Sequence, residues 1–301
     1  MKTVRVRGYA KVNLYLSVTG QSEGFHQLDS LAVTVNVYDS VTVTRRRDKK
    51  IIVKFGGRHQ PHIEERSNNA YKAAVLFRDT FNTYGVDVVI TKRIPIGGGL
   101  GGSSADISAT LSAMKLLFDV KEDVKPLADA LGSDSGYLLT GGYARLEGKG
   151  DKVTPLDLNT KLYMVAVPVA GGVRTKDCFS LFDSLNKDHS AAPTFEEVYA
   201  ALKENTYEKR HFYNALYDAA SSLNVGIAHA AEDLRALSPR GLFMTGSGST
   251  VVGVFDTEEL CLWAMDKLKR DHPRCFTCQS LTKKEIEDLK GLKNPFILQT
   301  E

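Results

Sequence analysis

The sequence predicts an α+β protein built as two domains. Three observations carry this. Residues 4–18 alternate with period two, residues 70–81 and 107–118 repeat at helical spacing, and strand-like and helix-like segments resume in a second, unequal group after a polar, glycine-rich stretch at 132–157. The predicted boundary falls near residue 155, giving domains over 1–155 and 156–301. The composition agrees with an ordinary globular chain: 301 residues, 43% hydrophobic, 25% charged, formal net charge +3. Such a balance calls for neither nucleic acid nor an anionic membrane surface as partner.

From Val4 to Val18 the even positions are apolar or small, and the odd ones read Arg5, Arg7, Tyr9, Lys11, Asn13, Tyr15, Ser17. This is one long bent strand or two shorter ones, with Lys11 and Asn13 on one face. The N-terminus alternates instead of presenting an apolar leader, and no run reaches membrane-spanning length. Strands are expected over 31–43 and 51–55, and the basic run Arg45–Lys50 between them reads as a solvated hairpin tip, the alternative being an anion-binding patch. Ser67 is the expected cap of a helix carrying Ala70, Ala74, Phe77 and Phe81 on one face, stopped by Gly85. A strand follows over 86–90.

In the second half, a strand is expected over 162–167 and helices near 175–185, 195–204, 207–221 and 225–237. A strand, tight turn and strand should occupy 241–255. A helix at 257–270 and a strand at 274–281 complete the pattern. The four cysteines, Cys178, Cys261, Cys275 and Cys278, are too few and too scattered for a disulfide framework. Cys275 and Cys278 form a lone CxxC that reads as a buried pair. A reducing cytoplasm is the expected setting.

Between the strand at 86–90 and the next helix lies IPIGGGLGGSSADISATL, residues 94–111, with five glycines inside six positions. Glycine costs backbone entropy on ordering and offers no side chain to bury, so something must approach this backbone closely. A glycine-rich turn entering a helix presents free N–H groups and the positive end of the helix dipole, which suits phosphate. Ser103 or Ser104 adds a hydroxyl. The Walker A pattern fails because no lysine stands in the loop. The spacing Gly97-x-Gly99-x-x-Gly102 satisfies the dinucleotide fingerprint, but after Phe118 the chain is charged and meets a proline where a second parallel strand ending in an acid is needed.

Pro95 to Ser104 resembles the ATP loop of the GHMP kinases, the family of galactokinase, homoserine kinase and mevalonate kinase. Further stretches resemble the member whose acceptor alcohol carries a cytidine diphosphate group and serves non-mevalonate isoprenoid synthesis. Ala10-Lys11-Val12-Asn13-Leu14 is similar to its AKINL, Glu23-Gly24-Phe25-His26 to its DGYH, and Val35-Asn36-Val37-Tyr38-Asp39 to its VxLYD. Leu131-Gly132-Ser133-Asp134 is similar to the start of LGADVPF, and Thr245-Gly246-Ser247-Gly248-Ser249-Thr250 to SGSGST. The matches run in order over residues 10–255. The loop reads GLGGSS where the kinase usually has one more glycine, and DVPF has become Asp134-Ser135-Gly136-Tyr137.

The resemblance implies the GHMP kinase fold, with an N-terminal domain like that of a ribosomal protein and a ferredoxin-like C-terminal domain. It implies an ATP-dependent kinase in which Asp134 takes the acceptor proton and Lys11 partners it. ATP would lie on Pro95, Ile96, Gly97, Gly98, Gly99, Leu100, Gly101, Gly102, Ser103 and Ser104, with Asn68 and Lys92 beside the adenosine and Mg²⁺ carried by the nucleotide. Asn13, Phe25, His26, Thr175, Phe179, Gly246 and Ser247 would bind the acceptor, Phe25 and Phe179 by stacking on the base. Two other readings stay open: a GHMP kinase for another small alcohol, and a non-catalytic binding protein of the same fold. The partner is then a small molecule, and the chain a monomer or weak homodimer.

Overall fold

The computed structural model describes residues 2–57 and 65–291. The chain opens with a long hairpin, β1 (Thr3–Ser22) and β2 (Phe25–Arg45), antiparallel along its whole length. β3 (Ile51–Gly56), α1 (Asn69–Thr80), β4 (Val86–Thr91) and α2 (Gly102–Phe118) follow. Then come the short helices α3 (Lys125–Asp129) and α4 (Ser135–Thr140), and the strands β5 (Tyr143–Gly148) and β6 (Lys152–Pro155).

The rest comprises β7 (Tyr163–Val167), α5 (Thr175–Leu185), α6 (Phe195–Lys203), the two-residue β8 (Tyr213–Asn214), α7 (Tyr217–Leu223) and α8 (Gly226–Ala236). β9 (Gly241–Met244), β10 (Val251–Phe255), α9 (Glu258–Leu268), β11 (Phe276–Gln279) and α10 (Lys283–Gly291) complete it.

One sheet has the order β3-β4-β2-β1-β8, with β5 pairing to β2 and β6 to β5; the second has the order β11-β7-β10-β9. The predicted boundary near 155 falls between β6 and β7. β8 is the exception to a clean division, since it lies in the second half of the chain yet pairs in parallel with β1. A single buried cluster joins the two sheets, with Leu14 and Val33 from the first hairpin meeting Met164, Phe243 and Val252 from the second sheet. A second cluster packs Ala70, Ala74 and Phe77 of α1 and Ile107, Leu111 and Met114 of α2 on Val41, Val88 and Ile90, as the helical spacing predicts.

Several expectations are corrected. Arg45–Lys50 is not a hairpin tip, because β4 lies between β2 and β3 and the run is a crossover. It is pinned by Arg46, which bonds both Asp48 and Asp87. α1 is capped by Asn68, whose side chain accepts the Ala70 N–H, one residue beyond the expected Ser67, and it ends before Gly85. The helix expected over 207–221 is broken. Leu216 N–H bonds the Asn214 side chain and residues 213–214 extend along β1, so only 217–223 are α-helical. The polar, glycine-rich stretch 132–157, to which no element was assigned, holds α4, β5 and β6, and α10 follows the strand expected to come last.

All four cysteines are buried and unpaired. No helix of the described residues is long and apolar enough to cross a membrane.

Gly85 shows how tightly the crossover is held. Its N–H donates to Asp48 O at 2.6 Å, and its carbonyl accepts from Arg46 N at 2.9 Å. A Cβ there would stand 1.9 Å from Lys50 O. Gly85→Ala is therefore expected to destabilise the fold by about 1–3 kcal/mol or more, through forced backbone shifts. Thermal unfolding followed by circular dichroism measures it, and an unchanged midpoint would refute this account.

Candidate active site

The glycine loop leaves β4 and enters α2 through alternating left-handed residues, Gly97, Gly99 and Gly101, at φ +70°, +74° and +71°. This conformation is why the sequence places glycine there. Gly99 also needs the room: a Cβ would stand 2.2 Å from Thr245 O.

The loop is held by its carbonyls. Gly98 O accepts from Thr250 N (3.2 Å), Leu100 O from Lys11 N (3.0 Å) and Gly101 O from Ala105 N (2.8 Å). Thr245 Oγ1 donates to Gly99 O at 3.4 Å. The N–H groups of Gly97 to Gly101 donate to no other group among the described residues. The loop borders a cavity of about 340 Å³ lined by every residue from Pro95 to Ser104, together with Asn68, Asn69, Lys92 and Asp106. Free N–H groups, a 17-residue helix behind them and no carboxylate in the loop itself are features that suit an anion. Ser103 is engaged by Asn69 Nδ2 at 2.6 Å.

Beneath the cradle is a buried charge cluster that sequence reasoning missed. Lys92 Nζ bonds Asp39 Oδ2 at 2.5 Å and Asp106 Oδ2 at 2.8 Å. Asp39 also accepts the N–H groups of Arg93 (2.6 Å) and Ile94 (2.9 Å), fixing the corner from which the loop departs. Burial works against a charged Lys92, yet Asp106 and Asp39 together hold its pKa above the usual value. Burial likewise pushes Asp106 up to about 7, with Lys92 opposing and Asp39 adding to the rise. Two carboxylates thus share one lysine at the foot of the loop. Asp39 lies in the VNVYD stretch quoted above, the one signal that could have found it.

Lys11 and Asn13 come off the same face of β1, as the alternation predicts, both buried. Lys11 Nζ donates to Asn13 Oδ1 at 2.6 Å and lies 3.1 Å from Asp134 Oδ2. Asn13 Nδ2 in turn bonds Ser30 Oγ (2.8 Å), which donates to Tyr15 O (2.6 Å). Asp134 stands at the N-terminus of α4 but does not cap it with its side chain. Its carboxylate, 23% exposed, remains open to a ligand. An ammonium beside an accessible carboxylate, next to a phosphate cradle, is an arrangement suited to moving a proton from a bound hydroxyl.

The second half brings the 245–250 turn between β9 and β10 against the loop. Thr245 Oγ1 accepts the Asn13 N–H at 3.0 Å, and Thr175 and Ser247 hydroxyls meet at 3.0 Å. Gly246 abuts Gly99: a Cβ there would stand 3.1 Å from Gly99 O.

Of the expected aromatic group, His26 and Phe179 are brought together, stacked at 4.4 Å between centroids. His26 Nε2 also lies 2.8 Å from Asp183 Oδ1 and 2.9 Å from Gln21 Nε2, neither of which the sequence singled out. Phe25 is not in that stack. Its side chain is 54% exposed and Lys149 Nζ sits 4.0 Å from its ring centroid.

Comparison with known proteins identifies this architecture. Residues 68–144 match the family model described as the GHMP kinases N terminal domain. The 4-diphosphocytidyl-2-C-methyl-D-erythritol kinase of Clostridium beijerinckii is 30% identical over 289 residues, covering 92% of this chain and all of the relative. That of Clostridium perfringens is 33% identical over 260 residues, 84% of this chain and 89% of the relative. A crystal structure of 4-(cytidine 5'-diphospho)-2C-methyl-D-erythritol kinase superposes with a TM-score of 0.78 at 29% identity, covering 91% of this chain and 98% of that one.

Thr245 joins the two halves through one hydroxyl. Thr245→Val would leave the buried Asn13 N–H without its acceptor, at an expected cost of about 1–3 kcal/mol, whereas Thr245→Ser should retain most of the stability. Denaturant unfolding of the pair measures this. Equal midpoints for valine and serine variants would show that the hydroxyl is dispensable.

Proposed function

The chain belongs to the GHMP kinase family, among the 4-diphosphocytidyl-2-C-methyl-D-erythritol kinases, and we propose that it transfers the γ-phosphoryl group of ATP to the 2-hydroxyl of 4-diphosphocytidyl-2-C-methyl-D-erythritol in non-mevalonate isoprenoid synthesis. The observation that carries the reading is the Lys11–Asp134 pair, 3.1 Å apart and hydrogen-bonded to the glycine loop through Lys11 N. The expected proton acceptor is thereby tied, through Lys11, to the backbone of the glycine loop.

In this mechanism the loop N–H groups and the α2 N-terminus hold the triphosphate, leaving its γ-phosphorus turned toward Asp134. The acceptor hydroxyl gives its proton to the Asp134 carboxylate as its oxygen bonds to the γ-phosphorus. The bond from phosphorus to the bridging oxygen breaks, and ADP leaves. Lys11 holds Asp134 in place and offsets negative charge gathering on the acceptor oxygen. Asn13, Thr175, Gly246 and Ser247 bound the acceptor, while Phe25, His26 and Phe179 serve the cytosine. Asn68 and Lys92 line the nucleotide side.

No group of three or more His, Cys, Asp or Glu that could hold a metal is present among the described residues. Mg²⁺ in this reading comes with the phosphates of ATP, where it neutralises charge on the transferring group. The residues fit that role, since the loop backbone leaves N–H donors free for phosphate oxygens and Asp106 and the Ser103 and Ser104 hydroxyls line the same cavity. The reading also divides the labour near residue 155: the first half binds ATP and supplies Lys11 and Asp134, and the second closes the acceptor side. It places the enzyme in the cytoplasm as a monomer or weak homodimer.

A coupled ADP-release assay with the diphosphocytidyl substrate beside homoserine, mevalonate and galactose tests the assignment; turnover confined to one of the last three would replace it. Asp134→Asn should lower turnover by about a hundredfold to ten-thousandfold with substrate affinity nearly intact. Phe25→Ala should do the opposite, weakening cytidine-substrate binding by about 1–3 kcal/mol while sparing turnover at saturation. Single-turnover rates and direct binding separate the two effects, and parent-like turnover by Asp134→Asn would remove it from the mechanism.

A further inference from the structure

Met164, Ala166 and Val252 of the second sheet are buried in the cluster that holds Leu14 and Val33 of the first hairpin. Their strand neighbours Val165, Val167 and Val251 are buried in another, with Cys261, Ala264 and Leu268 of α9. Successive side chains of a strand point to opposite faces, so α9 covers the face of the sheet turned away from the hairpin that carries Lys11.

The outward side of α9 is apolar at its centre. Leu260, Leu262 and Trp263 are 43%, 49% and 46% exposed. Trp263 is the middle residue of the helix and the only tryptophan of the chain. Single exposed apolar side chains are ordinary, whereas a group of them marks an interaction surface. Leu260 and Trp263 form such a group at i, i+3 spacing, with Leu262 adjoining the indole in sequence.

Charge is ordered around this centre. Glu258 and Glu259 precede it, and Lys267 and Arg270 follow, with Asp266 the one acid in the second half. Arg270 pairs only with its exposed neighbour Asp271, at 3.2 Å, a contact of little strength. The order suits the dipole of α9, and it also makes the surface complementary to itself. A second copy laid antiparallel across Trp263 sets the acidic end of each helix over the basic end of the other. The two indoles then meet at the centre, and the leucines lose their exposure to water. A contact made by the same patch on both subunits has this two-fold form.

We propose that α9 is the surface on which a second copy of this chain docks, antiparallel and centred on Trp263. The inference concerns a face remote from the site described above and does not depend on the acceptor assigned there. One pair of helices buries less than the roughly 1,200 Å² of a stable interface, so the dimer is weak and forms with rising concentration.

Sedimentation velocity between about 1 μM and about 500 μM tests this, read together with the emission of the single tryptophan. The parent should move from the monomer mass toward twice that mass, and its emission should shift to shorter wavelength over the same range. Trp263→Glu should raise the dissociation constant about 100-fold or more, as expected for a central aromatic anchor. Two further variants test the antiparallel arrangement: Glu258→Lys with Glu259→Lys in one chain, and Lys267→Glu with Arg270→Glu in another. Each alone should associate about tenfold or more weakly than the parent, and mixing the two should restore association, because acid again meets base at both ends. Circular dichroism melting confirms that each variant is folded. A parent that stays monomeric throughout overturns the proposal. A dimer that survives Trp263→Glu overturns it as well, because the contact then lies elsewhere. Charge variants that remain monomers when mixed overturn the antiparallel arrangement, and the proposal with it.

Discussion

Everything at the site depends on how the glycine loop is seated. Its carbonyls are bound from two directions, by β1 through Lys11 N and by the 245–250 turn through Thr250 N and the Thr245 hydroxyl. In a trans peptide each bound carbonyl turns the next residue's N–H the opposite way, so the seating decides which N–H groups stay free. Contact this close is possible only without a Cβ at Gly99. The same seating joins the two halves of the chain, because Thr245 accepts the Asn13 N–H from β1. Asn214, at the strand that pairs with β1, donates to both Met244 O and Gly246 O at the base of that turn. Moving the turn would displace the loop and the Lys11 strand together.

The two lysines near the loop are placed for different work. Lys92 is enclosed by Asp39 and Asp106, and Asp39 in turn holds the backbone of Arg93 and Ile94. Its charge is largely consumed in holding the strand-to-loop corner, although it also lines the cavity. Lys11 meets a single carboxylate, on a side chain that remains partly open, and its other partner is the neutral Asn13. A lysine between two buried acids can do little for an incoming phosphate; one beside a single accessible acid can act on a bound hydroxyl.

Much of this was legible in the sequence wherever a local rule was strong. Glycine density marked the left-handed loop, period-two alternation put Lys11 and Asn13 on one face, and helical spacing found α1 and α2. Illegible parts were set by distant partners. Tyr213 and Asn214 look helical locally, but pairing with β1 overrides that preference. The crossover at Arg45–Lys50 looks like a hairpin because nothing local reveals that β4 inserts between β2 and β3. β5 and β6 are short and glycine-bounded, and α10 owes its place to Ile286 and Leu281 packing on Tyr9. The Lys92 cluster draws on residues 39, 92 and 106, and no spacing rule connects them.

The departures from the family pattern turn out to be local accommodations with physical reasons. Where the motif has a proline, Gly136 stands with its missing Cβ only 1.8 Å from Asp129 Oδ1, so a larger residue there would have to turn this α3 carboxylate aside. Where the motif has phenylalanine, Tyr137 is fully buried, and its added hydroxyl donates to Gly142 O at 2.6 Å and contacts Thr34 Oγ1 at 3.1 Å. Ser135 O accepts from Ser108 Oγ at 2.7 Å, tying α4 to α2. These contacts fix the first turn of α4 from three sides, and Asp134 is the residue immediately before it. The segment has changed its side chains and kept Asp134, the residue to which the proposed reaction gives the acceptor proton.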